Sequence, residues 1–139
     1  MTGNSKQVDL EKYAVFVDGV TSNPSKDYKS FLDSIEYLDG EGSNIQRLLT
    51  AAVGISAEGG EFMEIVKKML FQGKPWNDDN REHLIIELGD VMWYVMHACK
   101  ALDVSLDQVI AGNVEKLKKR YPGGDFDVYH SENRAADDR

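Results

Sequence analysis

The chain has 139 residues, of which 42% are hydrophobic and 29% charged, and its formal net charge is −8. This length suits one domain with a core of its own, and no apolar run approaches the roughly 20 residues of a membrane span or reads as a signal peptide. The negative charge argues against a nucleic-acid-binding surface, because affinity for phosphate backbones depends on lysine and arginine. Since Cys99 is the single cysteine, no internal disulfide can form, and a cytoplasmic protein is the simplest interpretation.

Two short helices are predicted in the first 42 residues. An amphipathic pattern runs from Val8 to Val20, and a break follows at residues 21–24, because the residue before a proline is pushed out of helical geometry. A second helical stripe runs from Ser25 to Leu38 and ends at a glycine-containing turn. We expect residues 1–42 to pack on the rest of a single domain.

Three longer helices are predicted in residues 43–124, which we expect to form the helical core of the domain. Each begins at a capping spacing, in which side chains satisfy the first free amide groups of the helix. The predicted helices cover residues 44–71, 79–102 and 105–120, with capping residues at Ser43, Asp79 and Ser105. No alternating strand pattern of useful length occurs. The sequence therefore predicts an all-α fold, an antiparallel bundle of about four to five helices, followed by a polar tail at residues 125–139 that is either disordered or lies on a partner subunit.

The first core helix contains three glycines within seven residues, at Gly54, Gly59 and Gly60. Each interior glycine costs on the order of 1 kcal/mol relative to alanine. The glycines indicate a close approach of another part of the backbone or a local bend.

The segment LIIELGDVMWYVMHAC, in the second core helix, is almost entirely apolar. Its exceptions lie within roughly 80° of one another on the helix, and they are Glu87, Asp90, Tyr94 and His97. Carboxylates on an otherwise buried helix are costly unless something compensates for their charge. The sequence therefore predicts a compensating group beside this face.

The preceding helix carries a matching acidic set at Glu58, Glu61 and Glu64, spaced three residues apart. Because a short loop joins the two helices, they can pack antiparallel and bring their acids face to face. A site built only from Asp and Glu suits Mg²⁺ better than zinc. We therefore predict a magnesium site between these helices.

Three segments resemble the MazG family of all-α nucleoside triphosphate pyrophosphohydrolases, which are relatives of the dimeric dUTPases. They are GISAEGGEFMEIVKK, IIELGDVMWYV and NVEKLKKRYP, and the likeness covers about Leu48 to Pro122. One departure is Ala57, where many members have a glutamate before the residue that matches Glu58. The resemblance implies hydrolysis of (deoxy)nucleoside triphosphates to the monophosphate and pyrophosphate, with Mg²⁺ as cofactor (Mn²⁺ as a possible substitute). It also implies a homodimer or homotetramer.

The resemblance also implies the site residues. The metal ligands would be Glu58, Glu61, Glu87 and Asp90. Glu61 or Glu64 would accept the proton of the attacking water. The resemblance suggests phosphate contacts from Asn113, Lys116 and Arg120. Two further substrate contacts are predicted from position alone, Tyr94 because it shares the acidic face and Lys74 because it lies in the loop between the acidic helices, where a solvated lysine is the alternative.

Other interpretations remain open for several of these residues. Glu64 is also placed to form an ion pair with Lys68, His97 suits a core histidine better than a ligand, and the basic end of the last helix also complements the helix dipole. A non-catalytic regulatory protein on the same scaffold would be expected to lose its acids, whereas four remain. A carboxylate-bridged di-iron bundle is disfavoured, because Asp90 stands where such sites have histidine.

Overall fold

The structure is a computed structural model that describes residues 6–126 and 128–133. In these ranges it contains six α-helices and a short 3-10 helix at Asn23–Ser25. The α-helices are α1 (Leu10–Gly19), α2 (Tyr28–Gly40), α3 (Ile45–Phe71), α4 (Asp78–Leu102), α5 (Leu106–Arg120) and α6 (Val128–Glu132). No strand occurs in the described residues, and the predicted all-α fold is confirmed. None of these helices is both long and apolar enough to cross a membrane.

The five predicted helices are present, but two of the predicted capping residues are wrong. The capping residue of α3 is Asn44, whose side chain accepts from the Arg47 amide, whereas the Ser43 hydroxyl donates to a carbonyl at the end of α2. The capping residue of α4 is Asn77 rather than Asp79. The capping box of Ser105 and Gln108 is confirmed in both directions.

The short helix α6 falls within the segment that the sequence predicts to be a polar tail. Residue 127 and residues 134–139 of this tail lie outside the described residues.

The chain divides into two compact units, Met1–Ser43 and Asn44–Arg139. In the first unit the 3-10 helix packs against α2, and the Lys26 ammonium donates to the Asp18 carbonyl at 2.9 Å across the break after α1. None of its described residues is fully buried. The expectation that residues 1–42 pack on the core stays a prediction.

In the second unit α3 and α4 form an antiparallel pair joined by residues 72–77. Residues nearer the start of α3 therefore lie beside residues nearer the end of α4. Glu58 lies near Glu87, and Gly54 lies against Tyr94. This register sets which side chains can share a site between the helices.

The connecting loop is braced by a buried polar residue, Asn80, which is 8% exposed. Its side-chain amide donates to the Pro75 carbonyl at 2.6 Å, and its backbone amide donates to the Asn77 side chain at 2.9 Å. A buried amide without partners is costly, so these bonds stabilise the first turn of α4 against the loop. Asp103, in left-handed geometry with φ 52°, ends α4.

The apolar core within the described residues is small. Only Ala51, Ile65 and Cys99 are buried apolar residues. α5 has at most marginal contact with any other element. Consequently many large apolar side chains of α3, α4 and α5 remain exposed.

Candidate metal centre

Three carboxylates from the α3–α4 pair meet at one point. Glu58 comes from α3, and Glu87 and Asp90, one turn apart, come from α4; ligand oxygens of the three lie within 4.8 Å of one another. Glu87 is buried, Glu58 is half-buried and Asp90 is exposed. The predicted convergence of acids from these two helices is therefore present for these three residues.

The surroundings of Glu87 fit a bound cation. Its Oε1 lies 3.2 Å from the Nε2 of His83, whereas its buried Oε2 has no hydrogen-bond partner in the described chain. The facing groups are carboxylates, which have no proton to donate when they are ionised. A buried, uncompensated carboxylate oxygen is costly, and an oxygen-only donor set suits a hard divalent cation.

His83 is a residue that sequence reasoning missed. It precedes Glu87 by four positions, so the two side chains are neighbours on one face of α4. The four-residue spacing is the sequence feature from which this contact could have been predicted. The contact restricts the orientation of the Glu87 carboxylate, as outer partners of metal-ligating groups do.

Electrostatic repulsion within the centre changes the titration of Glu58. The pKa of Glu58 is raised above its usual 4.5, chiefly because a protonated Glu58 carboxyl can donate a hydrogen bond to Glu87, and further by loss of solvent and by the charges of Glu87, Asp90 and Glu61. A shared proton and a bound cation would relieve the same repulsion.

We predict from this pKa shift how stability depends on pH in the absence of metal. Because Glu58 holds its proton more tightly in the folded chain, its stabilising contribution is complete below pH 4.5 and is lost as pH rises through the raised pKa. The difference in unfolding free energy between the wild type and Glu58→Gln, measured in EDTA, should therefore decline over that interval. A difference that stays flat, or that grows with pH, would contradict the prediction.

The other two acids of α3 are placed differently. Glu61 is exposed and is not a member of the 4.8 Å group, although its charge acts on Glu58. Glu64 forms ion pairs with Lys67 at 3.2 Å and Lys68 at 3.4 Å. Hydrogen bonds from these lysines, that of Lys67 first, lower the pKa of Glu64. The alternative ion pair of Glu64 with Lys68 is thus present.

Tyr94 lies beside the carboxylates, four residues after Asp90, and is half-buried. Its ring occupies the space that a Cβ at Gly54 would need. The predicted close approach therefore exists at Gly54, whereas an added Cβ at Gly59 or Gly60 would meet nothing within 4 Å. Gly54 allows the two helices to hold Tyr94 between them.

The packing of α5 does not bring the predicted phosphate-binding residues to this centre. Asn113, Lys116 and Arg120 lie on α5, which has at most marginal contact with α3 or α4 in the described chain. Lys74 is half-buried in the connecting loop, where its backbone amide donates to the Lys68 carbonyl. The binding of substrate by these four residues stays a prediction.

Comparison with known proteins agrees with the location of the centre. The family described as "MazG nucleotide pyrophosphohydrolase domain" matches residues 46–124, which include all three clustered carboxylates and α5. The chain is 38% identical over 86 residues to a Gene 37 protein of Mycobacterium phage L5, an alignment covering 61% of this chain and 75% of that protein. No solved structure gives a significant match. Since the family match spans more than half of the sequence, the chain belongs to the MazG nucleotide pyrophosphohydrolase family.

Proposed function

We propose that this protein hydrolyses (deoxy)nucleoside triphosphates to the monophosphate and pyrophosphate in a Mg²⁺-dependent reaction. The observation that carries the proposal is the cluster of three carboxylates from Glu58, Glu87 and Asp90, in which one buried oxygen of Glu87 has no partner in the described chain. It lies inside the segment that matches the family. The buried free thiol of Cys99 suits a cytoplasmic setting.

The chain's own residues divide the chemistry between them. Glu58, Glu87 and Asp90 would hold Mg²⁺, or Mn²⁺ in its place, and Glu61 would complete the ligand set. The bound ion would neutralise charge on the phosphates and lower the pKa of an attacking water.

A proton acceptor is needed for that water, and Glu61 is the better of the two predicted candidates. Glu64 is occupied by two lysines, which lower its pKa and make it a weaker base. Glu61 is exposed one turn from Glu58, and its charge acts on the Glu58 carboxylate. We therefore assign proton transfer to Glu61 and a supporting position to Glu64.

The product assay tests this function directly. Common nucleoside and deoxynucleoside triphosphates are incubated with Mg²⁺, with Mn²⁺ and with EDTA, and the products are separated. We expect monophosphate and pyrophosphate in equal amounts with either metal, and neither product in EDTA. Release of orthophosphate and diphosphate would place the cleavage at another bond and would refute the proposal.

We also propose that the protein is a homodimer or homotetramer. Trp93 is 58% exposed on α4, and Ile86, Leu88 and Met92 are exposed on the same helix. Large apolar side chains exposed in this number indicate an interface, and the three buried apolar residues of the described chain form too small a core to leave them uncovered. A monomeric mass at micromolar concentration in light scattering would refute the assembly.

Association would also bring α5 to a metal centre of another copy. The phosphate contacts predicted for Asn113, Lys116 and Arg120 would then cross the interface, as would any contribution of the Lys116 and Arg120 cations to the departure of pyrophosphate.

Lys116→Ala provides a test of this arrangement. We expect kcat/KM to fall about tenfold to a hundredfold, because a charge-assisted contact to phosphate is worth about 1.5–3 kcal/mol, while Mg²⁺ binding in calorimetry is unchanged. Lys118→Ala, on the same helix, is the control, since Lys118 pairs with Glu115 at 3.5 Å. Equal kinetics for Lys116→Ala and the wild type at all substrate concentrations would discard the contact.

A further inference from the structure

A small, open cavity lies between the first turns of α3 and the second half of α4. Its volume is about 280 Å³, and it is lined by Asn44, Gln46, Arg47, Thr50 and His97. Every lining residue has a hydrogen-bonding side chain, and none is acidic. Pockets that enclose a drug-sized ligand measure about 300–1,000 Å³. The volume therefore suits a single ring system rather than a whole nucleotide.

The cavity lies in line with the metal centre along the same pair of helices. On α4, His97 follows Asp90 by seven residues, which is two turns and about 10 Å, and therefore shares its face. On α3, Thr50 precedes Glu58 by eight residues, or about 12 Å. Tyr94 lies between the centre and the cavity, so a nucleotide held by its phosphates at the carboxylates would extend its base over that ring.

The lining is rich in hydrogen-bond donors. Arg47 is half-buried, and its guanidinium has neither a hydrogen bond nor an ion pair within the described residues. The Asn44 carbonyl oxygen already accepts from the Arg47 amide, which leaves the Asn44 NH₂ group to donate. The Thr50 hydroxyl donates its proton to the Gln46 carbonyl at 3.0 Å. The buried Nδ1 of His97 also has no partner there.

We infer that this cavity holds the base of the nucleotide, and that Arg47 favours bases with a carbonyl at the exposed edge, namely guanine, thymine and uracil, over adenine and cytosine. Arginine donates two parallel bonds to the O6 and N7 of guanine, and O4 of thymine or uracil also accepts. Adenine and cytosine present an amino group at the same edge, so the half-buried Arg47 guanidinium would face another donor. The inference rests on the proposed function and adds the substrate class.

Arg47→Met is the variant that tests the inference. Its kcat/KM for dGTP should fall by about tenfold to a hundredfold, which is what a bidentate contact worth about 1–3 kcal/mol predicts. Its kcat/KM for dTTP should fall less, because thymine offers only O4 at that edge. The values for dATP and dCTP should change little, so the preference of the wild type for carbonyl bases should collapse. Arg81→Met, at an exposed arginine near the start of α4, is the matched control and should retain the preference.

A binding measurement separates this inference from the proposed reaction. Titration calorimetry with dGMP, dTMP, dAMP and dCMP in EDTA needs neither hydrolysis nor metal. We expect the wild type to bind dGMP and dTMP more tightly, and Arg47→Met to lose that difference. This result would support the base site even if the product assay found no hydrolysis.

Three outcomes would overturn the inference while leaving the proposed hydrolysis intact. These are a wild-type preference for adenine and cytosine, an equal loss for all four nucleotides in Arg47→Met, and an unchanged preference in that variant. An equal loss would assign Arg47 to the shared sugar or phosphates. If Arg47→Met does not fold, Arg47→Lys keeps the charge without the paired donors, and the same collapse of preference is expected.

Discussion

Replacement of Glu87 by glutamine is expected to lower Mg²⁺-dependent release of pyrophosphate by about 10³-fold or more. A metal ion supplies several kcal/mol of transition-state stabilisation, and each 1.4 kcal/mol corresponds to about a tenfold change in rate. Glu87 is the only buried member of the three-carboxylate group among the described residues, and its Oε2 has no other partner. Glutamine keeps the size of the side chain but removes the charge that the cation requires.

The loss should be accompanied by weaker binding of Mg²⁺ in calorimetry and by unchanged helix content in circular dichroism. Glu82→Gln is the matched control, because Glu82 is an exposed glutamate on the same helix. We expect that variant to hydrolyse triphosphates like the wild type. Turnover at the wild-type rate in Glu87→Gln would show that the cluster of Glu58, Glu87 and Asp90 is not the catalytic metal centre.

Gly54→Ala should destabilise the fold by about 1–3 kcal/mol, the usual cost of overpacking a tight contact. The added methyl group would occupy the position of the Tyr94 ring, so either the ring or the helix pair must move. Because Tyr94 lies one turn from Asp90, we also expect lower activity. Chemical denaturation and the pyrophosphate assay measure the two effects.

Gly60→Ala, on the same helix, meets nothing within 4 Å and should instead stabilise the protein by about 1 kcal/mol, the helix propensity of alanine over glycine. A double-mutant cycle identifies the cause of the destabilisation expected for Gly54→Ala. In a Tyr94→Ala background, Gly54→Ala should cost nothing or should stabilise. An equal cost in both backgrounds would mean that the Tyr94 ring is not what excludes the methyl group.

Local patterns in the sequence predicted the helices well. The period of the apolar residues locates α3, α4 and α5, and the Ser105 capping box is confirmed because both of its partners lie within one turn. The starts of α3 and α4 were misplaced because asparagine competes for the same capping position, at Asn44 and Asn77. Which side chain caps a helix depends on the path of the preceding loop, and helical periodicity carries no information about that path.

The site was predicted in part for a similar reason. The spacing within each helix places Glu87 and Asp90 on one face, but only the register between α3 and α4 decides that Glu58, and not Glu61, joins them within 4.8 Å. That register depends on the loop and on the contact of Gly54 with Tyr94. The His83 contact with Glu87 was overlooked because a half-exposed histidine at helical spacing is common.

The bracing of the connecting loop by Asn80 has a consequence for how this protein tolerates insertions and deletions. If a residue added or removed between α3 and α4 were taken up by the start of α4, Glu87 and Asp90 would move by 1.5 Å along that helix and by 100° around it. Such a change would turn Glu87 and Asp90 away from Glu58 without altering any ligand. The length of the six-residue segment 72–77 therefore determines how the ligands of α3 and α4 align. Homologous chains that retain the centre should vary the composition of this segment more freely than its length.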